Sequence, residues 1–149
     1  MNEDLLSKIL DYIDKNINEQ ISIDKIANTF YFNRFYIMRI FKKQFDMSII
    51  EYINKKRILN SLEPLIKTDE KILKIALNNG FNSAEYYSEQ FSKIIGLNPQ
   101  TVRKLLKNDS SSLKKEYGTK YSESIIKLYE GINSLEELST LERRFKWKK

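Results

Sequence analysis

The feature that most restricts what this chain can fold into is an internal repeat of a helical pattern. Ile23, Ile26 and Ala27 recur as Ile72, Ile75 and Ala76 at an offset of 49. Tyr36, Phe41, Lys43 and Asp46 correspond to Tyr86, Phe91, Lys93 and Gly96 at an offset of 50. The one-residue change falls in a turn, where an extra residue costs least. Each copy reads as a short helix, a turn and a longer helix, which is the helix-turn-helix plan, with a small Ala where the two helices cross. One such pair would say little, because helix pairs are common in all-α proteins. Two copies in one order narrow the fold sharply.

Composition agrees with an all-α reading. Four Gly and two Pro in 149 residues leave little turn chemistry for a many-stranded sheet. With no Cys and no His, disulfides, imidazole or thiolate metal sites, Cys nucleophiles and Ser-His-Asp triads are excluded. Carboxylates, Lys and Tyr remain, yet no cleft motif or phosphate loop is visible, so no enzyme and no cofactor are expected. The acidic start runs straight into a helical pattern, and no uncharged apolar run approaches membrane-spanning length. A cytoplasmic protein without a membrane partner is expected. The net charge of +6 permits nucleic acid or an anionic surface without choosing between them.

Periodicity and cap residues predict seven helices in residues 4–107. The first covers 4–16 and the second follows Ser22. The third is capped by Asn33 and runs to about Phe45, and the fourth is capped by Ser48 and runs from 49 to about 66. The fifth spans about 71–78 and the sixth about 83–95, ended by Gly96. Asn98-Pro99 opens the seventh. Pro64 should kink the fourth helix or end it early, because it removes an N–H and clashes with the carbonyl of Asn60. Beyond this, 108–112 reads as a polar linker. Tyr121, Ile125, Leu128, Tyr129 and Ile132 form one amphipathic run stopping near Gly131. Ser134-Leu-Glu-Glu137 opens another, with Leu135, Leu138, Leu141 and Phe145. The expected result is a helical hairpin packed on the body, with dimerisation or docking on another protein as the functional alternatives.

Ile26-Ala27, Phe41-Lys42-Lys43, Tyr52-Ile53, Arg57-Ile58, Ile75-Ala76, Gly80-Phe81, Tyr86, Phe91, Gly96, Pro99 and Arg103 stand in the order and spacing of one family. Over about residues 4–107 the chain resembles the DNA-binding domain of the AraC/XylS transcription regulators. The resemblance implies two helix-turn-helix units, about 4–47 and 67–107, joined by the helix at 49–66; residues 108–149, a linker and helical extension, lie outside it. The third and sixth helices would enter successive major-groove faces. The short length fits a stand-alone, MarA-like form that lacks a large effector domain. It implies a monomer docked along one face of double-stranded DNA, with RNA polymerase or another regulator as further partners; a tail-mediated dimer is an expectation from the tail alone, which lies outside the resemblance.

The third helix carries the sharpest candidate site. Arg34, Arg39, Lys42 and Lys43 lie between Asn33 and Gln44 with no acid among them. With Ile37, Ile40 and Phe41 inward, the outer face is Arg34, Phe35, Met38, Arg39 and Lys42. Arg can grip guanine bidentately, Lys suits phosphate, and Phe35 and Met38 can press on thymine methyl groups. By resemblance, Phe35, Met38 and Arg39 face the bases. Lys55 and Lys56 in the joining helix are candidates for the DNA backbone, and Arg57 is expected to be structural, paired with carboxylates. In the second unit the equivalent positions give Ala84, Glu85, Ser88, Glu89 and Lys93. Two carboxylates there are repelled by phosphate and can help only by accepting from cytosine N4. An alternative therefore stands: a protein-interaction module, or an antagonist of another regulator, that keeps the fold with a degenerate second unit.

Overall fold

The structure, a computed structural model, describes residues 2–107 and 120–147 together with Lys115 and Gly118. Among these residues there are helices and no strands. In chain order they are α1 (Asn2–Lys15), α2 (Ile23–Phe30), α3 (Arg34–Phe45), α4 (Ile49–Lys67), α5 (Ile72–Asn78), α6 (Ala84–Ile95), α7 (Pro99–Lys107) and α8 (Lys120–Trp147). The linker expected at 108–112 lies outside the described residues. No helix among them is long and apolar enough to cross a membrane.

The repeat is reproduced down to its hydrogen bonds. Asn33 and Ser83, fifty positions apart, cap α3 and α6 by accepting from the backbone N–H of Phe35 and of Tyr86. Ser48 and Asn98, also fifty apart, accept from the N–H of Glu51 and of Thr101. Asp46 and Gly96 both take the left-handed conformation and donate to the carbonyls of Lys42 and Ser92. Asp46 tolerates this because a short polar side chain visits the left-handed region more readily than most. Within each helix-turn-helix, Phe32 N–H bonds the Ala27 carbonyl and Phe81 N–H bonds that of Ala76, each at 3.0 Å. The residue before each is left-handed, Tyr31 with φ 61° and Gly80 with φ 88°. Only Gly fits the second position, where an added Cβ would lie 2.6 Å from Arg57 Nε and 2.7 Å from the Ile17 carbonyl oxygen.

Two cores result. Side chains of α1, α2 and α3 close on Ile49, Tyr52 and Ile53 from the first half of α4. Side chains of α5, α6 and α7 close on Ile58 and Leu65 from its second half. The helix α4 thus belongs to both units. Arg57 marks the junction, but its partners differ from those expected. Nε donates to the Ile17 carbonyl at 2.9 Å and Nη2 to that of Glu19 at 2.6 Å, and the guanidinium lies over the Phe81 ring. Carbonyls of the α1–α2 loop, not carboxylates, satisfy it. Burial holds its pKa below the ordinary arginine value.

Of the two outcomes expected at Pro64, an early end does not occur: α4 continues to Lys67, close to the expected bound of about 66. Leu65 is fully buried in the second core, and Arg103 Nε donates to the Leu65 carbonyl at 2.9 Å. Thr68 donates to the Pro64 carbonyl through both its N–H and its hydroxyl. Tertiary partners hold the last turn that the proline weakens. The tail is likewise not a hairpin: α8 is one 28-residue helix running through Gly131 and Ser134. Gly131 does not stop it because it is buried mid-helix against Ile95, where a Cβ would lie 2.5 Å from the Ile95 carbonyl oxygen. The glycine serves close helix approach rather than chain reversal.

Candidate nucleic-acid interface

On α3 the pattern of faces is as the periodicity predicts. Ile37, Ile40, Phe41 and Phe45 are buried, while Arg34, Phe35, Met38, Arg39, Lys42 and Lys43 are exposed. Phe35 keeps 66% of its surface exposed, far more than a core side chain of that size would. Phe35, Met38, Arg39 and Lys42 are brought together around one cleft of about 400 Å³, completed by Ile23, Ser48 and Ile49. Its floor is apolar and two cations stand on its edge. Arg39 lies 5.5 Å from the Tyr36 ring centroid, and Arg34 sits over Phe35 and pairs with Asp24 at 3.2 Å. Both partners of that pair are exposed, so it is weak and readily exchanged for a phosphate.

The periodicity did not reveal Ile23 or Ile49 as lining residues, because both sit at helix starts where the side chain's direction depends on the neighbouring helix. Tyr31, 93% exposed, and Phe32 lie in the turn between α2 and α3. Phe32 stacks on Tyr36 at 5.5 Å, extending an aromatic surface beside the start of α3. Two adjacent aromatics before a cap residue were the available signal.

The two lysines of α4 have separate fates. Lys55 Nζ lies 3.9 Å from Glu51 and its side chain lines a groove of about 480 Å³ between α4, α6 and α8. Lys56 turns inward. Its Nζ lies 3.1 Å from Asp14 Oδ1 and 2.9 Å from Glu142 Oε2, with the side chain only 16% exposed. Burial acts to lower its pKa, but the bond to Glu142 and the charge of Asp14 outweigh it and raise the value. Lys56 ties α1, α4 and α8 together, and its ammonium is engaged by two carboxylates where a backbone contact was expected.

In the second unit Glu85 and Glu89 are exposed, Ala84 and Ser88 half-buried, with Tyr87, Phe91 and Ile95 inward. Neither glutamate is ion-paired with a described residue. Lys93 is not gathered with them; it lines the groove that also holds Lys55. Tyr86 faces the same groove, where its hydroxyl accepts from Asn54 Nδ2 at 3.0 Å.

Comparison with known proteins places this geometry. A helix-turn-helix domain family matches residues 26–105. The HTH-type transcriptional regulator YbfP of Bacillus subtilis is 33% identical over 115 residues, covering 77% of this chain and 39% of YbfP. The probable transcription factor PqrA of Proteus vulgaris is 33% identical over 105 residues, covering 69% of this chain and 86% of PqrA. The DNA-binding domain of the global transcriptional factor AdpA, solved in complex with a target DNA, shares the fold. Its TM-score is 0.61 at 18% identity, covering 76% of this chain and 96% of that domain. The chain therefore spans well under half the length of YbfP and most of PqrA. The helix α8 lies outside the matched domain.

Proposed function

The chain belongs to the AraC/XylS family through its helix-turn-helix DNA-binding domain, and from that premise we propose that it is a sequence-specific, double-stranded DNA-binding transcription regulator. In this reading the first unit dominates, with α3 in the major groove. The observation that carries it is the convergence of Phe35, Met38, Arg39 and Lys42 on one apolar cleft edged by cations. Arg39 is the base-reading cation, since its guanidinium matches the paired acceptors of guanine. Phe35 and Met38 supply apolar contact for thymine methyl groups, and Lys42, Lys43 and Arg34 supply charge for the backbone. Lys55 adds a further backbone charge from α4. Lys56 is left out, because two carboxylates already hold it.

A second reading applies to the second unit alone. Glu85 and Glu89 stand exposed and unpaired with any described residue, where the first unit has Phe35 and Arg39. That face suits a basic protein surface better than a phosphate-lined groove.

Selection of bound sequences from random duplex tests the main reading and yields a best site. On that site Arg39→Ala should cost about 1–3 kcal/mol and relax one base position. Lys42→Ala should weaken all duplexes alike and reduce the slope of log affinity against log salt by about one. No enrichment over random duplex, or unchanged binding in both variants, removes the proposal.

A further inference from the structure

The helix α8 crosses both units. Leu128, in its first half, and Leu135, near its middle, are buried in the core of the second unit. Leu138 and Phe145, in its second half, are buried in the core of the first, with the Phe145 ring 5.2 Å from that of Phe45. Glu142 holds Lys56 of α4, which also holds Asp14 of α1. Gly131 lies against the backbone of Ile95 at the end of α6. From Leu128 to Phe145 the helix advances about 26 Å, nearly the length of α4 at about 28 Å.

Two bodies joined by one helix can bend and twist about it. Joined by two helices of similar span, each seated in both bodies, they cannot rotate without opening a core contact. We infer that α8 is a brace that fixes the relative aim of the two helix-turn-helix units and thereby sets the half-site spacing that the protein accepts. Gly131 is its positioning residue. It touches no DNA-facing side chain, yet any side chain there drives α8 away from Ile95. The junction at Arg57, with Gln20 Nε2 bonding Asn82 Oδ1 at 2.7 Å, and the Asn54–Tyr86 bond at 3.0 Å are further ties between units. They gather around the middle of α4 itself, a pivot rather than a second strut.

The spacing consequence rests on the DNA-binding reading; the rigidity does not, and the test separates them. The chain has no Cys, so Asn28→Cys in α2 and Asn78→Cys in α5 place two spin labels cleanly, one on each unit. In otherwise unaltered protein, without DNA, the label-to-label distance should be a single narrow distribution. With Gly131→Val added, the amides of α8 should exchange at least about tenfold faster while those buried in both cores stay protected, and the distribution should broaden. On DNA, inserting one base pair between half-sites rotates one about 35° against the other. That insertion should cost the parent at least about tenfold in affinity and the Gly131→Val protein less than about threefold. A distribution that stays narrow with α8 exchanging fast overturns the brace, because the Arg57 junction then suffices. So does an α8 that remains protected in the variant, since the glycine contact then positions nothing. Broadening without any spacing effect leaves the brace standing and tells against DNA engagement by the second unit.

Discussion

Replacing Lys56 by Met should separate a structural lysine from a DNA-contacting one. The ammonium stands within 3.1 Å of Asp14 and 2.9 Å of Glu142, and the three side chains are 16%, 32% and 11% exposed. With lysine present the cluster carries one net negative charge; with Met it carries two, on carboxylates that face each other. Removing one partner of a fully buried pair costs about 3–5 kcal/mol. Part of this cluster is wet, so a loss of roughly 2–4 kcal/mol at neutral pH is expected. The sign of the pH dependence follows from the shifts. Burial pushes the Asp14 carboxyl above its ordinary value, with the hydrogen bond to Glu142 adding to it. A raised carboxyl favours the folded state as it takes up its proton, so acidification towards the carboxylate range should shrink the penalty of the Met variant. Lys56 is raised as well, and its contribution is present below the ordinary lysine range and lost as pH rises through its folded value. The penalty should therefore also fade in strong alkali. Urea unfolding of both proteins across pH measures this, with duplex binding under salt titration alongside. An unchanged unfolding midpoint together with a reduced salt slope would refute the structural role and return Lys56 to the DNA backbone.

Three other outcomes are expected. Tyr31→Gly should leave stability equal or raise it by up to about 1 kcal/mol, since relief of the left-handed strain of about 1–2 kcal/mol is partly offset by glycine entropy. A loss larger than that in urea unfolding would mean that the exposed ring is held by contacts. Pro64→Leu should stabilise by about 1–3 kcal/mol by giving the Asn60 carbonyl a donor. A melting temperature that falls would show that the proline is accommodated by strain elsewhere. Changing both Glu85 and Glu89 to Gln should raise affinity for random duplex at low salt, with the difference shrinking as salt screens it. A shift from C towards A at one position of the selected site would show that a glutamate reads cytosine. Identical binding by variant and parent would turn α6 away from DNA.

What the sequence by itself determined was local. The caps at Ser22, Asn33, Ser48 and Ser83, the inward face of α3 and the left-handed Asp46 and Gly96 all follow from interactions within about one helical turn. Those rules were sufficient to gather the first-unit residues on one exposed helix face. The repeat extended the same rules to the second unit. What only the tertiary structure decided were the encounters between elements far apart in the chain. Lys55 and Lys56 are neighbours of one type, yet Lys56 meets carboxylates 42 positions earlier and 86 later, and Lys55 does not. Gly131 reads locally as a helix stop and becomes a helix interior because Ile95 lies beneath it. Pro64 reads as a break and is overruled by Leu65, Thr68 and Arg103. In each case the local preference is worth about 1–3 kcal/mol, and packing against another element supplies as much or more.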